Sequence, residues 1–296
     1  MSVAAPAIAP GNGEANVITL DGLSRVGSTL YVPEVKSETP AFLVVHPFLD
    51  GAPLREDYTA ATYIDAGVTE NVPLLLDQPA ESGSRMIIMF HEDVNRDGLF
   101  QFGDGITVPD APVIEGTTMI ALPALVPRER AITPEDIRGS YRLHAQKAQT
   151  YLERAAFRED GIEARSRALV HQYMADVERP DRSIELFDDI LADTFALDFS
   201  SGTLTDRDAF DAWLQGPASS VAASAHEILN LTVIPLNNQR YQIDFTVNWN
   251  GLTADGSRLQ ATTQHRWVVI DDDAELPKIQ GINVEIIDPF RPTEWG

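Results

Sequence analysis

Between Val17 and Leu125 the apolar positions come in short bursts, at residues 17–20, 29–32, 41–46, 72–76, 85–91 and 117–122, separated by Gly, Pro, Asp and Asn. Bursts of this length, rich in β-branched and aromatic side chains, read as strands. No helix-length period interrupts them, so the pairing is expected to be antiparallel and the segment 17–125 to be an all-β sandwich. The pattern changes at Thr133, where a capping hydroxyl precedes Pro134, Glu135 and Asp136, a proline in the first turn and acids near the positive end of the dipole. From there to about Phe157, Tyr141, His144, Ala148, Tyr151, Leu152 and Ala155 recur at spacings of three and four, which predicts an amphipathic helix. Residues 126–168 are expected to form a helical linker.

Farther on, residues 169–178 and 184–192 read as helices interrupted by Pro180, and Thr205 with Asp208 predicts a capped helix through Trp213. Four long strands follow at 226–236, 240–250, 258–270 and 278–287, joined by turns rich in Asn, Gly and Asp. Helices first and a meander afterwards indicate an α+β domain over 169–290, with helices on one face of a bent sheet. Residues 1–16 form a leader and 291–296 a tail. The leader has neither a basic start nor an apolar core, and its Ala/Pro/Gly/Asn texture fits a mature N-terminus after signal cleavage, hence an extracytoplasmic or secreted protein; a cytoplasmic protein with a disordered leader is the alternative.

Composition narrows the partners. The 296 residues carry a formal charge of −23, and a surface this acidic repels phosphate backbones and anionic lipid, so nucleic-acid binding is disfavoured. There is no cysteine, which removes disulfides and thiolate chemistry. No apolar run reaches the ~18 residues of a membrane span.

The residues from 167 onward, with an opening helix, the run Leu-Ala-Asp-Thr-Phe at 191–195 and GTLTDRDAF at 202–210, followed by strands at 240–251, 264–270 and 279–287, resemble the NTF2-like superfamily, in particular its SnoaL-like branch. The resemblance implies a cone of helices closed by a curved antiparallel sheet around a pocket, in a family whose members include cyclases, isomerases, dehydratases, hydrolases and non-catalytic binders. It also implies a polar residue at the pocket mouth where Asp198 stands. Period-two alternation puts Tyr241, Ile243, Phe245, Val247 and Trp249 on one face and Gln242, Asp244, Thr246 and Asn248 on the other; on the next strand Thr263, His265 and Trp267 share the inward face. The expected apolar pocket uses Tyr173, Trp213, Phe245, His265 and Trp267, with Trp213, Phe245, His265 and Trp267 lining it or closing its floor. His265 is a general acid or base candidate or a core histidine satisfied by one hydrogen bond, and Asp198 a candidate base or a surface carboxylate. The polar face is expected to support a homodimer. No organic cofactor is indicated.

The first domain, through VVH at 44–46, GVTENVPLLLD at 67–77 and HEDVNRDGLF at 91–100, resembles a β-domain of unknown function from surface proteins of halophilic archaea and some bacteria. His46 and His91 fall at strand ends where they can approach, but a copper or zinc site needs more ligands than the sequence identifies. Asp93, Asn95 and Asp97 occupy positions one, three and five of a D-x-N-x-D-G pattern, with the Leu99 carbonyl and Asp104 at positions seven and twelve. That is the oxygen spacing of a calcium loop, and a metal-free Asx-rich turn is its alternative. The combined reading is a non-catalytic small-molecule-binding or interaction protein with a possible Ca2+ site; its alternative is a SnoaL-like lyase, isomerase or hydrolase acting on a hydrophobic carbonyl or cyclic substrate, with Asp198 or His265 as base.

Overall fold

The computed structural model describes residues 8–49, 52–53, 57–101, 110–157, 161–199 and 202–295. The chain forms two compact units, residues 1–130 and 131–296.

In the first unit the strands are β1 (Ala9–Gly11), β2 (Val17–Thr19), β3 (Ser24–Val26), β4 (Thr29–Ser37), β5 (Ala41–Leu49), β6 (Ala52–Pro53), β7 (Ala60–Ile64), β8 (Gly67–Leu75), β9 (Arg85–Glu92), β10 (Ile114–Glu115) and β11 (Thr118–Leu125). One sheet runs β1-β11-β9-β5-β6, with β7 also on β5 and β10 also on β11; the other runs β2-β4-β3, with β8 on the far edge of β4. Leu30, Val32 and Val35 of β4 share a buried cluster with Leu43 and Val45 of β5, Ile88 and Phe90 of β9 and Ile120 of β11. That cluster joins the two sheets, as alternating inward residues do in a sandwich. The pairing is antiparallel as expected, except that β1 runs parallel to β11. The strand β7 (AATYI) gives a weak sequence signal because alanine has little β propensity; it is held by its pairing with β5 and by burial of Ala60 and Ile64.

The second unit opens with α1 (Pro134–Phe157) and α2 (Gly161–Glu178), continues through β12 (Leu191–Asp198), β13 (Thr203–Leu204) and α3 (Arg207–Gln215), and ends in β14 (Ala223–Pro235), β15 (Arg240–Leu252), β16 (Arg258–Ile270) and β17 (Lys278–Thr293). The Thr133 cap is reciprocal: Asp136 Oδ2 accepts from Thr133 N at 2.8 Å, and Thr133 Oγ1 accepts from Asp136 N at 3.3 Å. The helix it starts is not a linker. Ile137 of α1 packs with Ala225 and Leu252 of the sheet, and Tyr151 stacks on His171 of α2. The apolar face read from the sequence is therefore covered inside the second unit, and α2 begins at Gly161 rather than at Leu169.

Two further expectations shift. Residues 184–192 are not a helix but a 3-10 turn, Ile184–Phe187, followed by β12. Buried Phe187, Ile190 and Leu191 mimic helical spacing, while burial of Phe195 and Leu197 shows the strand's period of two. The cap of α3 is Asp206, which accepts from Ala209 N at 2.8 Å, one residue beyond Thr205.

The six strands are ordered β13-β12-β17-β16-β15-β14, with β12 and β17 parallel. Ile243, Phe245, Val247, Trp267 and Val269 bury against Val170, Tyr173 and Met174 of α2, Phe187, and Phe210 and Leu214 of α3. The opposite face is the predicted polar one, laced by Thr246 to Gln264 at 2.9 Å and Arg266 to Asp244 at 3.2 Å. The strand β17 is paired on both edges only in its first part. Its pairing with β12 ends at Asn283, whereas its pairing with β16 continues to Thr293.

Candidate functional site

Helices α2 and α3 and the inner face of the sheet enclose a cavity of about 480 Å³, whose wall includes Tyr173, Arg182, Trp213, His226, Trp249 and His265. Phe245 and Trp267 lie beneath it. Phe245 stacks on His265 at 4.8 Å, and Trp267 meets Tyr173 edge-on at 4.9 Å. Of the five residues expected to form the pocket, Tyr173, Trp213 and His265 are on the cavity wall, and Phe245 and Trp267 are not on it but pack against His265 and Tyr173. Asp198 sits half-buried in β12, opposite Thr203 and Asn283, and is not on the cavity wall.

His265 faces the cavity but is not arranged as a base. The Trp267 indole N–H donates to His265 Nδ1 at 3.4 Å, which leaves Nε2–H to donate to Thr263 Oγ1 at 3.0 Å. Burial pulls its pKa down to about 3, with nearby His226 adding. Both ring nitrogens are thus engaged by protein partners.

A second cavity-wall imidazole belongs to His226, the fourth residue of β14. Its backbone N–H donates to Glu178 Oε1 at 2.7 Å and its Nδ1 to the same oxygen at 2.9 Å. With Nδ1 committed as donor, the neutral ring carries its lone pair on Nε2, on a residue of the cavity wall. Glu178 is the last residue of α2, its side chain is 1% exposed, and its Oε2 has no partner among the described residues. A second layer holds the pair in place. His144 Nε2 donates to the His226 carbonyl at 2.9 Å and lies 3.6 Å from Glu178 Oε1, and His171 Nδ1 donates to His144 Nδ1 at 2.8 Å. Burial lowers the pKa of both His144 and His171, so they act as neutral hydrogen-bonding groups. Arg182, whose guanidinium donates to the Val177 carbonyl at 2.9 Å, puts a positive charge on the wall, its pKa lowered by burial.

Sequence reasoning missed Glu178, His226 and Arg182. The signal for Glu178 was an acid four residues after Met174 and eight after Val170, in register with the buried helix face. For His226 it was the parity it shares with Ser224 and Ile228 on β14, both buried.

In the first unit, Asp93 Oδ2 accepts from Gly98 N at 3.1 Å, and Asp97 accepts from Leu99 N, Asn95 Nδ2 and Gln101 Nε2. Asp104 lies outside the described residues. Among the described residues no three acidic or imidazole groups converge on one point. His46 and His91 do meet, Nε2 to Nε2 at 3.3 Å, each with Nδ1 on a backbone carbonyl, those of Asp57 and Asp110. Two imidazoles fall short of a zinc ligand set.

A family model described as a domain of unknown function, DUF7282, matches residues 16–124, most of the first unit. No curated protein matches the chain. Solved structures resemble a part of it corresponding to about two fifths of its length. A putative aromatic ring hydroxylase from Novosphingobium aromaticivorans is 15% identical, with 42% of this chain and 88% of that one covered and a TM-score of 0.38. A putative scytalone dehydratase from the same organism is 13% identical, covering 43% and 83%, with a TM-score of 0.36. A nuclear transport factor 2 (NTF2-like) superfamily protein from Salmonella enterica is 9% identical, covering 40% and 85%, with a TM-score of 0.36.

Proposed function

We propose that the second unit is an NTF2-like small-molecule site that acts on an apolar, ring-sized substrate by general-base chemistry, as a lyase or isomerase. One observation carries this: a cavity-wall imidazole, His226, whose Nδ1 is held by a buried carboxylate, Glu178. Such a pairing fixes the tautomer and stabilises the imidazolium that forms when Nε2 takes a proton. The substrate would give up a carbon-bound proton to His226 Nε2. The C–H electron pair would enter a new double bond as a neighbouring leaving group departs with its own pair, or the proton would return at another carbon. Arg182 supplies positive charge for the oxygen or halide on which negative charge develops. The wall is otherwise mostly apolar, which favours a hydrophobic carbonyl or cyclic compound. This prefers the catalytic alternative of the sequence reading over the non-catalytic one, and moves the base from Asp198 or His265 to His226.

The test begins without a known substrate. Diethyl pyrocarbonate acylates an imidazole through its unprotonated nitrogen, and peptide mapping reads all six histidines. His226 is expected to react first, and Glu178→Gln to slow it; equal rates in both proteins, or an inert His226, refute the dyad. A panel of ring-sized ketones and alkyl halides in D2O then separates the functions. Deuterium exchange or elimination that disappears in His226→Ala supports the lyase or isomerase, whereas compounds that bind without reacting return the site to a binding role.

A further inference from the structure

We infer that the first unit binds one Ca2+ ion at the carboxylates of Asp93 and Asp110. Asp93 and Asp110 are each 4% exposed, and Oδ1 of each is buried with no hydrogen-bond partner among the described residues. A buried carboxylate oxygen left unpaired costs ~1–3 kcal/mol or more, so two of them together call for a counter-charge.

The chain brings the two residues side by side. Glu92 N donates to the Ala111 carbonyl at 2.9 Å, and His91 bridges Pro112, so the next residue on one side, Asp93, flanks Asp110 on the other. In each carboxylate the second oxygen is tied to the loop: Asp93 Oδ2 to Gly98 N, and Asp110 Oδ2 to Gln101 N at 2.6 Å. These tethers fix both side chains and leave each Oδ1 free. Asp97 is now satisfied by amide donors of Leu99, Asn95 and Gln101, which stand in for a cation. In this arrangement these groups do not converge on one point; release of those donors is the rearrangement by which Asp97, the Asn95 amide oxygen and the Leu99 carbonyl would join Asp93 and Asp110 around the ion. Oxygen-only donors in a loop select a hard cation that tolerates irregular geometry, which is calcium rather than zinc or copper.

The experiment is calorimetric titration of Ca2+ into the full-length, chelator-stripped protein. One site is expected, with Asp93→Asn and Asp110→Asn each weakening affinity at least about tenfold, while Asp255→Asn in an exposed turn of the second unit leaves it unchanged. Circular dichroism establishes that the variants are folded. If either is not, the wild type still decides, since millimolar Ca2+ is expected to raise its melting temperature relative to EDTA. Absence of binding at millimolar Ca2+, Asp110→Asn titrating like the wild type, or a melting temperature that does not move between EDTA and Ca2+ each overturn the inference.

Discussion

Tyr173 offers a sharp test of the second unit's core because its stabilising and destabilising parts separate in one substitution. Its ring is 4% exposed and packs edge-on against Phe187 at 5.4 Å and Trp267 at 4.9 Å. Its hydroxyl is buried with no hydrogen-bond partner among the described residues, and burial alone raises its pKa. Tyr173→Phe keeps every ring contact and removes only the unpaired group. A buried hydroxyl without a partner costs ~1–3 kcal/mol, and the small void left by one oxygen returns part of that. The variant is therefore expected to be more stable by roughly 1 kcal/mol, or ~2–4 °C in Tm for a unit of this size. All four tryptophans, Trp213, Trp249, Trp267 and Trp295, lie beyond residue 130, so tryptophan fluorescence during urea unfolding reads this unit alone. A midpoint that falls by the equivalent of 1 kcal/mol or more would show that the hydroxyl has a partner, such as an ordered water, and would refute the reasoning.

Phe210, fully buried and edge-on to Phe187 at 4.9 Å, should cost ~3–5 kcal/mol when changed to Ala, read by the same fluorescence; a loss under 1 kcal/mol would mean that α3 is not seated on the core. Because Asp110 titrates at about 7 when folded against 3.8 ordinarily, the folded unit retains a proton that the unfolded chain loses. In EDTA its stability contribution is full below pH ~4 and is lost as pH rises through ~7. Asp110→Asn mimics the protonated acid, so its stability relative to wild type should grow between pH 5 and 8 in chemical unfolding, and a constant difference would argue against a buried acid. The polar sheet face of Asp244, Thr246, Gln264 and Arg266 is expected to form a moderate, wet homodimer. Sedimentation showing only monomer at high concentration, or an unchanged association in Asp244→Arg, would count against it.

How much was legible follows from which signals are local. Alternation in 240–250 and 258–270 placed Phe245, His265 and Trp267 on the inner face with the register now seen, because period two needs no distant partner. Residues 184–192 misread as helix because Phe187, Ile190 and Leu191 carry a helical spacing that only pairing with β17 overrides. His226 and Glu178 stand 48 positions apart, and no local pattern joins a residue inside a strand to the last residue of a helix. Asp110 escaped for the same reason: it meets Asp93 through pairing of the flanking segments, not through a loop spacing.

The overhanging half of β17 has a consequence for solubility. Beyond Asn283, where β12 stops, the strand keeps β16 on one side and, among the described residues, has no strand on the other. It also exposes Ile286, Ile287 and Phe290. A long apolar edge is a template for a neighbouring chain's strand. Pro289 and Pro292 carry no N–H to offer a neighbouring strand, and Asp288 and Arg291 each place a charge directly before one of them, so the run that borders the cavity is also defended against edge-to-edge polymerisation. Valine at both prolines would keep the apolar side chains and remove that defence, turning a rim into a nucleus for fibrous aggregates.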